Sequence, residues 1–363
     1  QWRFGADGRP PRKDAYRATV RVPGACQLDD QTQEVGVWYR KVFPMPATLG
    51  GKDPSARWLL RFAKAGWYTR AYLNGKPVGK NFGSSTPFEF DVTEAIRWGA
   101  DNELAVHLHA ADASHTVGGA LIGDLYESIS FRSGGRKNRN WVQILGDVTL
   151  HKRPAAHIAW QIAETSVRKG RLRLRGRVGL PAGRTAKGLS VHAQVASLDE
   201  PDRIVLTAEC PLTTGKQGQT FDSTVAWKEP VLWGFGKYGK AHLYGLRLEL
   251  RDAAGAVLDA TVRRFGFREI WYDGRKLMLN GKELFIAAAA EPHGLEPVTS
   301  YHYADGVFER NNMVRFCQVL RKFGWNAVHN HFDTYGEAAY DVADELGLLV
   351  VAGFYCSGPA WLT

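Results

Sequence analysis

Methionine and cysteine are scarce in this chain, three and four residues among 363. Cys26, Cys210, Cys317 and Cys356 are scattered, with no CxxC pair and no Cys/His cluster at ligand spacing. That argues against a structural metal site, and no cofactor is expected. Cys317 falls on an apolar helical face and reads as a buried thiol. Long apolar runs are missing as well: nothing approaches the ~20 consecutive apolar residues that a membrane-spanning helix needs. No membrane partner is therefore expected. Acidic residues are the minority charge, 37 against 47 lysines and arginines, a formal net charge of +10. The chain opens on Gln1, which a removed signal peptide, and hence a secreted or periplasmic protein, would explain as well as a trimmed start.

What is present is globular. Apolar residues make up 44% of the chain and charged ones 23%, and the length suits two or three domains. Twelve tryptophans fit both β-sandwich cores and sugar-stacking surfaces. The basic residues concentrate in two places. Arg132, Arg136, Lys137 and Arg139 crowd a Gly-containing stretch, and Arg171, Arg173, Arg175 and Arg177 alternate with mostly apolar residues. The alternation puts four guanidinium groups on one solvated strand face. No nucleic-acid recognition module accompanies them, so a nucleic-acid partner is not expected. Arginine forks suit carboxylate and sulfate, which points to an acidic or sulfated glycan.

Up to about residue 265 the pattern is short strands broken by turns. Residues 67–73 alternate and end at Asn74-Gly75, a pair that tolerates the positive φ of a type I′ hairpin. Residues 87–92 and 102–108 read as further strands, with one short helical turn over 93–99. Strands at this spacing predict a β-sandwich. A second block carries strands over 170–178, 190–197, 220–225, 243–251 and 260–267, with a turn at Asp252–Gly255. Its roughly seven short strands suit an immunoglobulin-like sandwich.

After residue 275 the period changes. Asn280-Gly281 turns a hairpin into a strand over 284–290. Met313, Phe316, Leu320 and Phe323 then line one face of a helix. A strand follows over 325–328, a helix over 337–346 closed by Gly347, and an apolar strand over 348–354. This β-α-β-α-β run predicts parallel strands buried on both faces. Residues 269–363 are too few for a closed eight-fold barrel, which takes ~250 residues. Asp341, Asp344 and Glu345, on the second helix, are expected in solvent.

Gly234-Phe235-Gly236-Lys237-Tyr238-Gly239 matches GxGxxG, but a strand-periodic run follows where a nucleotide site needs a helix. It reads as a structural loop. Barrel chemistry sits at the C-terminal ends of strands, where Glu291, His293, Asn330, His331, Cys356 and Trp361 fall. Polar groups there suit sugar hydroxyls, and a tryptophan suits a sugar ring. These six are the candidate substrate contacts.

Several strings, in order, resemble glycoside hydrolase family 2, which includes β-galactosidases, β-glucuronidases, β-mannosidases and exo-β-glucosaminidases. They are Val37-Trp38-Tyr39-Arg40-Lys41, Tyr72-Leu73-Asn74-Gly75-Lys76, Pro87-Phe88-Glu89-Phe90-Asp91-Val92, Arg264-Phe265-Gly266-Phe267-Arg268 and Leu279-Asn280-Gly281-Lys282. The resemblance implies three domains: a jelly-roll sandwich over 1–153, an immunoglobulin-like β-sandwich over 154–268, and the first three β/α units of a TIM (β/α)8 barrel over 269–363. It also implies retaining hydrolysis of a carbohydrate substrate by two glutamates that follow the fourth and seventh barrel strands. Both would lie beyond Thr363, so no catalytic residue is expected within the chain. Further polypeptide or a second chain would complete the barrel. The family usually has Arg-Gly…Asn…His after its first barrel strand, where this chain has Ala287–Ala290 and Glu291-Pro292-His293. That departure keeps a second reading open: a non-catalytic carbohydrate-binding or scaffolding protein of the same architecture.

Overall fold

The computed structural model describes residues 19–23, 36–49, 56–65, 68–82, 87–109, 116–117, 120–121, 144, 146–181, 183–215, 218–290, 310–330 and 337–352. The chain begins with β1 (Gly36–Met45), β2 (Arg57–Phe62), β3 (Tyr68–Leu73), β4 (Lys76–Phe82), β5 (Phe88–Asp91) and β6 (Ala100–His109). β7 (Thr116–Val117) and β8 (Ala120–Leu121) make a short hairpin, and β9 (Val148–Arg153) follows. Two antiparallel sheets result, ordered β1-β6-β3-β4 and β5-β2-β9. Alternate residues point inward, so Val37, Tyr39, Leu60, Phe62, Leu73, Phe90, Val106 and Leu108 share one core. The β3–β4 turn is Asn74-Gly75, both left-handed at φ 54° and 80°, as its sequence predicts. Asn74 does more than turn: its amide nitrogen donates to Ala95 O and Asn102 Oδ1, and its amide oxygen accepts from the Glu103 N–H.

The second sandwich comprises β10 (His157–Ser166), β11 (Arg171–Gly179), β12 (Ser190–Ser197), β13 (Ile204–Cys210), β14 (Leu212–Gly215), β15 (Gly218–Ala226), β16 (Tyr244–Arg251) and β17 (Val257–Phe265). The sheets run β10-β11-β15-β14 and β13-β12-β16-β17, the order of an immunoglobulin-like sandwich with an added strand. Leu172, Leu174, Val191, Val195, Leu246, Leu248 and Leu250 fill its core. Tyr244, at the start of β16, accepts the Val231 N–H on its hydroxyl at 2.8 Å, and the Trp227 ring meets its edge at 4.8 Å. This corner ties the crossing loop to the core.

β18 (Ile270–Asp273), β19 (Lys276–Leu279) and β20 (Lys282–Glu283) form a small antiparallel sheet. Then come β21 (Ala288–Ala290), α1 (Arg310–Lys322), β22 (Ala327–Asn330), α2 (Glu337–Leu346) and β23 (Leu349–Ala352). β21, β22 and β23 pair in parallel, under Met313, Phe316, Cys317 and Leu320 of α1 and Ala339, Val342 and Ala343 of α2.

Four local expectations need correction. The strand expected over 284–290 starts only at Ala288, because the Asn326 side chain holds the preceding backbone, bonding Phe285 O and the Ala287 N–H. Phe285 is left 79% exposed. Phe323 does not extend the apolar face of α1. The helix ends at Lys322, Gly324 turns at φ 76°, and the Trp325 N–H returns to Leu320 O. That closure also keeps Trp325 out of β22, which begins at Ala327. The apolar strand expected over 348–354 is ordered as Leu349–Ala352, and 353–354 lie outside the described residues.

Candidate functional site

In the parallel register Ala290 lies beside His329, and Asn330 beside Ala352. The three strands therefore finish at one edge. Asn330 is the last residue of β22. Glu291, His293, His331, Cys356 and Trp361 lie outside the described residues, as does the basic 132–139 stretch. In sequence Glu291 follows Ala290 directly and His331 follows Asn330. Among the described residues no cluster of three or more His, Cys, Asp or Glu side chains has metal-site geometry, and no helix is long and apolar enough to cross a membrane.

The sheet that carries this edge is anchored to the second sandwich through the Gly-rich loop. Trp233 is wholly buried, and its indole N–H donates to Asp344 O on α2 at 2.7 Å. The Asn280 amide nitrogen donates to Trp233 O and Tyr238 O at 2.9 and 3.0 Å. The Tyr238 hydroxyl donates to Glu283 O. The Arg268 guanidinium lies 4.2 Å over the Trp233 ring, a cation–π contact strengthened by burial. Only a single short turn, Gly236–Tyr238, follows Gly234. As the sequence predicts, the segment is a loop without a nucleotide-binding helix; the structure adds that it clamps the second sandwich to α2.

Charge completes the clamp. Arg264 of β17 contacts Asp341 at 2.5 Å and also pairs with Glu345, which Arg310 engages from the other side. The expectation of solvated carboxylates is corrected for Asp344 and Glu345, which are half-buried, whereas Asp341 stays exposed even as it pairs with Arg264. Burial pushes the Asp344 carboxyl up, against the pull of Arg268 and Arg264. Burial also acts to raise Glu345, but hydrogen bonds from Arg310 and Arg264 outweigh it and hold the carboxyl below its ordinary value. Burial lowers the pKa of Arg268. Cys317 is a free, buried thiol pushed up to about 11 by its apolar surroundings, as its position on the helix predicts.

The arginine-rich strand β11 is alternating as expected, with Leu172 and Leu174 fully buried beneath it. Its outward charge is partly neutralised. Arg173 binds both oxygens of Asp222 at 2.7 and 2.5 Å and reaches Glu164 at 3.5 Å, and Arg175 also pairs with Glu164. None of these acidic partners, nor the Trp233–Arg268 clamp, is evident from local periodicity. The nearest signal is the Arg264-Phe265-Gly266-Phe267-Arg268 string, where an added Cβ on Gly266 would meet Trp233 Cβ at 2.6 Å.

Two antiparallel sandwiches followed by a parallel β/α unit define a multi-domain, mostly-β protein. Residues 156–268 match the family model described as Glycosyl hydrolases family 2. The chain is 25% identical over 390 residues to a β-glucuronidase of Canis lupus familiaris, covering 96% of this chain and 55% of the relative. It is 31% identical over 232 residues to the β-galactosidase large subunit of Latilactobacillus sakei, covering 63% of this chain and 32% of that protein. The fold matches that of Bifidobacterium dentium β-glucuronidase, solved with coumarin-3-O-glucuronide, at a TM-score of 0.69 and 22% identity. That match covers 92% of this chain and 55% of the other. The chain is similar to glycoside hydrolase family 2 proteins, with the family match over residues 156–268, and it spans about a third to a little over half of the length of the curated relatives named here.

Proposed function

We propose that the chain is the amino-terminal part of a retaining β-glycosidase. In this reading 1–153 is a jelly-roll domain, 154–268 the immunoglobulin-like domain, and 269–363 the first three units of a TIM barrel. The observation that supports it best is the parallel register of β21, β22 and β23, in which three strands end at one edge. Barrel enzymes build their sites at that edge. Glu291, His293, Asn330 and His331 contact sugar hydroxyls there, joined by Cys356 and with Trp361 against a ring face. Two glutamates from polypeptide following Thr363, after the fourth and seventh strands, perform the chemistry. One protonates the leaving oxygen; the other, ~5–5.5 Å away, attacks the anomeric carbon to form a glycosyl-enzyme that water then opens. The remaining strands, from the same polypeptide or a second chain, pair with the outer edges of β21 and β23.

The experiment is turnover of aryl β-glucuronides and β-galactosides by the complete polypeptide, with the product anomer read by NMR at early times. Release of the β anomer supports the proposal. Release of the α anomer overturns retention. Absence of turnover with glycan binding intact favours the non-catalytic carbohydrate-binding protein that the replaced strand-end residues also suit.

A further inference from the structure

One face of the second sandwich has the chemistry of a binding surface. Across sheet β10-β11-β15-β14, Trp160 stands opposite Arg177, Arg177 opposite Thr220, and Thr220 opposite Thr213. Directly opposed residues share a face, and Val178, next to Arg177, is buried on the other side. The row therefore points outward: an indole ring, a guanidinium and two hydroxyls, one from each strand. At the ~4.8 Å spacing of neighbouring strands it spans roughly 14 Å, the reach of a short oligosaccharide.

The exposure is unusual for these residues. Trp160 is 43% exposed and its neighbour on the same face, Ile162, 44%, although tryptophan on a sheet is ordinarily covered. Thr213 and Thr220 join through their hydroxyls at 3.2 Å, so both present oxygen to the same spot. Among the described residues no carboxylate forms an ion pair with Arg177, whereas Arg173 and Arg175 are held by Asp222 and Glu164. Four guanidinium groups meet two carboxylates on this face, which leaves it positive.

We infer that this row binds an anionic glycan, with the Trp160 ring against a sugar face, Arg177 forked onto a carboxylate or sulfate, and the threonine hydroxyls on neighbouring hydroxyl groups. Sugar C–H faces pack on aromatic rings, and a guanidinium fork matches a planar or tripodal oxyanion in two parallel hydrogen bonds. The charge complementarity selects an acidic chain over a neutral one. The inference rests on the carbohydrate-directed reading for its choice of ligand, but binding and hydrolysis are read separately.

The test is calorimetric titration of the complete polypeptide with three probes: polygalacturonate for carboxylate, dextran sulfate for sulfate, and neutral dextran. Binding to either anionic probe and not to dextran is expected, and the arm that binds identifies the group. Trp160→Ala and Arg177→Gln should each weaken binding by about tenfold, the scale of one charge-assisted contact. Trp160→Phe, which keeps a ring, should retain most of it. Lys187→Gln, an exposed cation off this face, should have no more than a twofold effect, and unchanged thermal unfolding certifies each variant as folded. Equal losses for Lys187→Gln and Arg177→Gln, equal binding of dextran, or no binding of either anionic probe would overturn the inference. Because aryl-glycoside turnover is measured on the same preparations, loss of glycan binding with turnover intact isolates this surface from the proposed activity.

Discussion

Arg61 and Glu337, 276 residues apart in sequence, meet in the fold: one guanidinium nitrogen donates to both carboxylate oxygens, at 2.7 and 2.9 Å. Arg61 stands on β2 of the first sandwich, and Glu337 opens α2 of the β/α unit. Two parts of the chain that the second sandwich separates in sequence are therefore in direct contact. A carboxylate in the first turn also complements the amino end of the helix.

This contact is worth little by itself. Glu337 is 58% exposed, and exposed pairs contribute ~0–1 kcal/mol, less at high salt. A double-mutant cycle with Arg61→Ala and Glu337→Ala, followed by urea unfolding, should give a coupling energy in that range that fades with added sodium chloride. A salt-independent coupling of several kcal/mol would mean the pair organises more structure than its exposure implies.

Glu345 should make stability pH-dependent. Its folded pKa lies below the unfolded one, so the stabilisation is complete above the ordinary value of 4.5 and disappears as pH falls through the lowered folded value. Glu345→Gln should cost about 1–2 kcal/mol at neutral pH through two weakened charge-assisted bonds. Unfolding curves of the variant and the parent should converge in acid. A gap that persists well below pH 4.5 would show that packing, not charge, is what the substitution disturbs.

Tyr244→Phe should leave the Val231 N–H without its acceptor at a part-buried corner. Val231 is 51% exposed, so water can partly replace the hydroxyl and the cost should be about 0.5–1.5 kcal/mol, to be seen as a lower denaturant midpoint with an unchanged slope. Since Tyr244 is 3% exposed and packed by Trp227, removal of the oxygen alone should not open a cavity.

Gly234→Ala tests the clamp. An added Cβ would lie 2.7 Å from Tyr238 O, a backbone atom that cannot rotate away, and overpacking of this kind costs ~1–3 kcal/mol. The loss should appear as earlier unfolding together with faster hydrogen exchange at the Trp233–Asp344 contact. Exchange unchanged at that contact would separate the glycine from the interface.

Local physics was enough for much of the architecture. Asn74-Gly75 and Asn280-Gly281 announced hairpins because few dipeptides accept two left-handed residues in succession, and all four have positive φ. β12 runs over residues 190–197 as its alternation predicts. Glu337–Leu346 is the helix that its apolar spacing describes. These features depend on neighbours a few residues away, and such neighbours are visible in any sequence.

The tertiary structure decided what depends on distant partners. Whether Phe323 is covered turned on where Gly324 ended the helix and what lay beside it. Whether Glu345 is solvated turned on Arg264, some eighty residues earlier in the chain. Whether Arg173 and Arg177 are equivalent cations turned on Asp222 and Glu164, carried by adjoining strands. Periodicity states which way a side chain points but not what it meets. For charged groups the meeting sets the free energy, because Coulomb energy depends on the distance and dielectric between partners that only the folded chain brings together.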